Sequence, residues 1–96
     1  MIDLNQTADA CRKTALRRGK INERLSHWEA AVSLRCELDE YTNSSEHVLS
    51  EHLPEYTDAQ EELADILIVC LTELSRRKVD VEALIKAKLT FNQNRE

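Results

Sequence analysis

Glycine, proline and aromatic side chains are nearly missing from this chain: one glycine, one proline, one tryptophan, two tyrosines and one phenylalanine among 96 residues. So few turn formers leave no material for an architecture of many short strands joined by tight turns. The three cysteines, Cys11, Cys36 and Cys70, form no CxxC pair and no regular spacing. That excludes a disulfide framework and a zinc knuckle, and it reads as free thiols in a reducing compartment, with Cys36 and Cys70 as small core residues. Long apolar runs are also missing. The longest, ILIVCL at 66–71, is far too short to span a bilayer, and MIDLNQTADACRK at the start lacks the apolar stretch of a signal peptide. The expectation is a cytoplasmic protein with no membrane contact. The net charge of −5, from 18 acidic and 13 basic residues, repels a phosphate backbone and argues against a nucleic-acid polymer as partner. It does not argue against a single nucleotide whose charge is bridged by metal.

What is abundant is Ala, Leu, Glu and Arg, all helix formers. The sequence reads as all-α, one domain over residues 1–96, a bundle of about four helices. The first runs from about Leu4 to Arg17, with Leu4, Ala8, Cys11 and Ala15 at helical spacing and Gly19 as its terminator. Ser26 caps the second, with Glu29 at capping-box distance, and Ala30, Leu34, Leu38 and Tyr41 form its stripe to about Asn43. The segment between, SSEHVLSEHLPEY, reads either as a polar loop or as a loop holding a short helix around Glu46–His52. Thr57 or Asp58 caps the third helix, to about Lys78, and Asp80 caps the fourth, Val81 to about Asn92.

On a helical wheel, Leu63, Ile66, Leu67, Cys70 and Leu74 occupy one side of the third helix, while Ile68 and Leu71 point away and Val69 lies on the flank. That is more apolar surface than one small bundle needs. Either a second copy covers the back of this helix, or residues 44–57 fold over it.

Among these apolar residues lie carboxylates that need compensation. Glu62 and Asp65 are three apart and share a face; Glu37 and Glu40 do the same at the edge of the second helix's stripe. If the two helices are antiparallel neighbours, the pairs face each other. Four clustered anions repel, and a hard divalent cation with oxygen ligands resolves the conflict. No histidine stands at ligand spacing, so zinc is a poor fit. The alternative is that these are solvated charges, or that Arg35, Arg76 or Arg77 neutralises them. Near the end, Lys88, Asn92 and Arg95 fall at i, i+4 and i+7, hence on one helical face, and their donors suit phosphate oxygens; the alternative is helix-terminal cations answering the dipole.

Three stretches in order, HWEAAVSLRCELDEYTNS, EELADILIVCLTELSRRKVDVEAL and KAKLTFNQNR, resemble the MazG-like branch of the all-alpha nucleoside triphosphate pyrophosphatase superfamily. The resemblance covers about residues 15–95 and is weakest between 43 and 57. ELDE matches that family's ExxE element, EELAD its ExxD element, and Lys88–Arg95 its KxxxNxxR element. The resemblance implies a helical bundle that forms dimers or tetramers. It also implies Mg²⁺-dependent hydrolysis, with Mn²⁺ as substitute, of a nucleoside triphosphate to monophosphate and pyrophosphate. Glu37, Glu40, Glu62 and Asp65 would then be metal ligands, with Glu37 or Glu40 orienting the attacking water. Lys88, Asn92 and Arg95 would bind substrate. Trp28 is a candidate for base stacking, or else a packing residue. Many members carry a further glutamate where this chain has Cys36. The competing expectation is a helical binding or scaffold module with a vestigial site.

Overall fold

An α-helix starts only where something accepts its first backbone N–H groups, and each start here has such a partner. The computed structural model describes residues 2–95 and contains four helices among them: α1 Leu4–Arg17, α2 His27–Thr42, α3 Asp58–Arg76 and α4 Val81–Asn94. Asp3 accepts from the N–H groups of Asn5 and Gln6, Ser26 from Glu29, and Asp80 from Ala83. Thr57 and Gln60 make a reciprocal capping box: the Gln60 N–H donates to Thr57 Oγ1 at 3.1 Å and the Thr57 N–H to Gln60 Oε1 at 2.9 Å.

Two helices end in the same way. At the end of α1, Gly19 takes φ 72°, and the N–H groups of Lys20 and Gly19 donate to the carbonyls of Ala15 and Leu16. At the end of α3, Lys78 takes φ 61°, and the N–H groups of Val79 and Lys78 donate to Leu74 and Ser75. Both are Schellman motifs, which satisfy the last carbonyls through one left-handed residue. The expected end of α3 at Lys78 is thus two residues late, because Lys78 is the left-handed residue beyond the helix.

The chain groups into two compact units. The first comprises residues 2–23 and 71–95. Its core is Ala8 from α1, Leu71 from α3 and Val81 from α4, with Leu4, Cys11 and Leu74 packed around it. A polar cross-link locks the entry of α4 to α1: Asn5 Nδ2 donates to Asp80 Oδ1 at 3.0 Å, and the N–H of Val81 donates to Asn5 Oδ1 at 2.7 Å. Arg12 on α1 bonds Ser75 Oγ at the end of α3 and pairs with Asp9 on its own helix. The expected stripe of α1 is therefore its packing face.

The second unit, Arg24–Cys70, holds α2, the connecting segment and the first part of α3. The connection contains no regular helix: it bends, and it makes one isolated antiparallel bridge between Leu49 and Thr57. The Asp58 N–H donates to the Val48 carbonyl and the Ala59 N–H to the Ser45 carbonyl, so the loop is laced to the start of α3.

Three expectations about packing are corrected. Leu71, placed away from the core on the wheel, is only 6 % exposed and central to it, whereas Leu63 and Leu67 are 52 % and 60 % exposed. The single-stripe reading fails because the buried side of α3 differs along its length: Ala59 is buried near its start, Leu71 and Thr72 further on. On α2 no residue is fully buried, and Leu34 and Leu38 lie open. Cys36, expected as a small core residue, is exposed, although all three cysteines are indeed free thiols. No helix among the described residues is long and apolar enough to cross a membrane.

Candidate metal centre

The second unit brings the two carboxylate elements together. Ser45, just past α2, bonds Asp58 and Ala59 at the start of α3, while Glu37 and Glu40 further back on α2 approach Glu62 further along α3. Contacts that run backward on one helix and forward on the other make the pair antiparallel, as the sequence reading required. One carboxylate oxygen from each of Glu37, Glu40 and Glu62 lies within 4.8 Å of the other two. Asp65 is not among the three, but its charge acts on Glu62.

The electrostatics of Glu62 are unusual for a glutamate. Burial pushes its carboxyl above the ordinary range first, repulsion from Glu40, Asp65 and Asp58 pushes it further, and a hydrogen bond to Glu40 acts in the same direction. Its Oε2 is buried and, among the described residues, is the one buried side-chain polar atom that no hydrogen bond satisfies. A buried oxygen left in that state costs free energy.

A divalent cation fits this donor set. The three groups are hard oxygen donors with no thiolate or imidazole among them, which suits Mg²⁺ or Mn²⁺ better than zinc. Oxygens on opposite sides of a Mg²⁺ ion are about 4 Å apart. A cluster spanning up to 4.8 Å would therefore need only small side-chain adjustment to hold such an ion. Glu37 and Glu62 are half-buried and Glu40 is exposed, so the cluster opens to solvent on one side and leaves room for waters or a ligand.

Close by, Glu61 has a different environment. It accepts from Ser50 Oγ at 2.6 Å, and the Nδ1 of His52 lies 3.3 and 3.2 Å from its two oxygens. The bond from Ser50 first, and that from His52 next, hold its carboxyl below the ordinary range. His52 lies on the surface, and nothing in the spacing of loop residues 44–57 shows that it meets Glu61.

The other expected site residues lie elsewhere. Trp28 is 67 % exposed at the start of α2. Lys88 and Asn92 are exposed on α4, but Arg95 is in extended backbone just past the helix. The expected shared helical face of Lys88, Asn92 and Arg95 is therefore corrected for Arg95, because α4 ends at Asn94. Lys88 and Arg95 still converge in another way, with Lys88 Nζ 4.7 Å and the Arg95 guanidinium 5.8 Å from the ring centroid of Phe91. An open cleft of about 730 Å³ in the first unit shares no residue with the acidic cluster. Its charged lining is largely engaged in structure: Arg12 with Asp9 and Ser75, Arg76 with Glu73, and Asp80 with Asn5.

Comparison of the chain with protein-family models, with curated proteins and with solved structures gives no match in any of the three.

Proposed function

We propose that the protein hydrolyses a nucleoside triphosphate at the α-phosphorus, releasing pyrophosphate and a nucleoside monophosphate, in a reaction dependent on Mg²⁺ or Mn²⁺. The observation that carries this reading is the meeting of Glu37, Glu40 and Glu62, the last of which also has a buried oxygen, Oε2, that no hydrogen bond satisfies. Solvated surface charges would spread apart; these are held together at a cost that a cation relieves. The sequence resemblance supplies the rest, since the three residues that converge are both carboxylates of the ExxE element and the first of the ExxD element, Asp65 being outside the three.

In this reading Glu37, Glu40 and Glu62 hold the cation, and Asp65 strengthens the negative field at Glu62. A bound divalent cation would neutralise phosphate charge and activate water for attack. Phosphoryl transfer depends mainly on positioning and electrostatic stabilisation, so the chain needs no covalent nucleophile. The exposed carboxylate of Glu40, or that of Glu37, orients the attacking water. Lys88, Asn92 and Arg95 remain the proposed phosphate contacts on donor chemistry, and Trp28, being exposed, is available to stack on a base. The open leucines Leu34, Leu38, Leu63 and Leu67 favour a second copy of the chain as partner, giving a homo-oligomer.

The test is pyrophosphate release from a panel of NTPs and dNTPs with Mg²⁺ or Mn²⁺. Glu62→Ala and Asp65→Ala are expected to abolish or strongly reduce release; full activity in both rejects the site. Cation-dependent thermal stabilisation without turnover of any nucleotide would favour instead the binding or scaffold module.

A further inference from the structure

The connecting segment of the second unit presents one histidine in a built setting. Ser50 is buried, accepts from the Leu53 N–H at 3.0 Å and donates to Glu61 at 2.6 Å. Glu61, fixed by that bond, faces His52 Nδ1 with both carboxylate oxygens. An ionised carboxylate only accepts, so Nδ1 carries the hydrogen. The His52 side chain is nevertheless 84 % exposed. An exposed histidine usually samples many rotamers; this one is anchored through one nitrogen and offers the other, Nε2, outward.

The position of this dyad matters. Glu61 precedes Glu62 on α3 and stands one helical turn before Asp65. His52 meets Glu61, and Glu61 and Glu62 are consecutive on α3, so the imidazole and the acidic cluster are anchored to neighbouring positions of one helix within one unit. A cluster of carboxylates repels any polyanion until a cation is bound, and a positive donor anchored on the residue next to Glu62 would offset part of that repulsion. Glu61 is the main cause that holds the imidazole toward its cationic form, through its hydrogen bond and its charge, with help from Glu51 and Asp65.

We propose that His52 is a substrate-binding residue whose outward Nε2 donates a hydrogen bond to a phosphate oxygen of the polyphosphate held at Glu37, Glu40 and Glu62. This rests on the hydrolase reading above and adds a contact that lies outside the resembling motifs. Ser50 and Glu61 are its positioning residues. A charge-assisted hydrogen bond to phosphate predicts a loss of about ten- to a hundredfold in affinity when it is removed.

The experiment uses the full chain. Binding of Mn²⁺ alone, and of inorganic pyrophosphate in the presence of Mn²⁺, is measured by calorimetry for wild type, His52→Ala, His52→Gln and the loop control His47→Gln, alongside KM and kcat for the best nucleotide of the panel. The expected result is weaker pyrophosphate binding and a raised KM in His52→Ala. His52→Gln should fall between it and wild type, Mn²⁺ affinity should be unchanged, and His47→Gln should behave as wild type. Undiminished pyrophosphate binding in His52→Ala overturns the role of His52 alone. So does a parallel loss of Mn²⁺ affinity, which would mark a structural latch. A wild-type chain that binds neither Mn²⁺ nor pyrophosphate overturns the hydrolase reading itself.

Discussion

In the unit of residues 2–23 and 71–95, Asn5 and Asp80 meet and leave nothing wanting: Asn5 donates to the carboxylate of Asp80 and accepts from the buried Val81. In the unit Arg24–Cys70, Glu37, Glu40 and Glu62 meet and leave a buried oxygen without a partner. The same contrast holds for charge. Burial raises the Glu73 carboxyl, but Arg76 and Arg77 more than offset it, and the net shift is downward. Burial raises Glu62 as well, and its neighbours, being acidic, add to the shift. It holds for apolar packing too: Ala8, Leu71 and Val81 form a core in the first unit, whereas α2 in the second buries no residue fully. The polar cross-link of the first unit completes the fold, whereas the acidic cluster of the second is left in conflict. Unresolved conflict that persists in a folded structure marks a place where a ligand is expected to do the resolving.

The largest effect that can break this comparison is in the core. Leu71→Ala is expected to cost about 2–4 kcal/mol in urea denaturation, as a buried leucine truncated against a packed neighbourhood does. Leu67→Ala, at an open position, is expected to cost less than about 1 kcal/mol. Should Leu67→Ala cost as much as Leu71→Ala, and more so at higher protein concentration, its face is covered by a second copy in solution.

The cross-link comes next. Asn5→Ala removes the acceptor of a buried N–H and a donor to the cap of α4, so a loss of about 1–3 kcal/mol is expected by the same measurement. Asn5→Asp keeps an acceptor for the Val81 N–H but sets a carboxylate against Asp80. It should therefore also destabilise at neutral pH, and recover as the pH falls toward the carboxylate range.

A third prediction concerns pH. The folded value of Glu62 is raised above its ordinary 4.5, so its contribution to stability is complete below 4.5 and is lost as pH rises through the folded value. That of His52 is raised above 6.5, so its contribution is complete below 6.5 and is lost at higher pH. Glu61, Glu73, Asp9 and Asp80 are lowered, and theirs is lost only as pH falls through their folded values, below the ordinary carboxylate range. Without divalent cation, thermal stability is expected to decline in two windows as pH rises. Glu62→Gln should remove the lower window and also the stabilisation by Mg²⁺ or Mn²⁺ at neutral pH. His52→Gln should remove the upper one and leave the cation response in place. Persistence of the cation response in Glu62→Gln would move the cation away from Glu62.

Much of this was legible in the chain. The four helices, the caps at Ser26, Thr57 and Asp80, and the terminator Gly19 follow from local chemistry, and local chemistry is what sequence spacing records. The approach of Glu37 and Glu40 to Glu62 was also legible, because two amphipathic helices joined by a polar connection fold back antiparallel. Less legible was the packing of α3. A wheel sums the whole helix, and it put Leu71 outside and Leu67 inside because the buried side differs between the two ends. Asn5 and His52 were missed for another reason: each acts through a partner far along the chain, Asp80 in one case and Glu61 in the other. Arg95 was misplaced by assuming that α4 continues one residue past its end, which alone decides whether the i+7 position stays on the face.

The smallest effect sharpens the contrast within the first unit, whose remaining strain is in its backbone. Lys78 is the one non-glycine residue at positive φ among those described, and it does in the Schellman turn of α3 what Gly19 does in that of α1. A side chain in the left-handed region costs about 1–2 kcal/mol. Replacing it by glycine returns part of that, less the added freedom of the unfolded chain, which is about 0.4–1 kcal/mol. Lys78→Gly is therefore expected to stabilise the protein by roughly 0.5–1 kcal/mol, and Gly19→Ala to destabilise it by a similar amount. A Cβ at Gly19 would meet no atom within 4 Å, so its cost is backbone conformation alone and calibrates the other. If Lys78→Gly instead destabilises, the lysine side chain itself contributes more than its backbone costs. The first unit would then hold, at the lip of its cleft, a contact that offsets the strain, and residual conflict would belong to the acidic cluster alone.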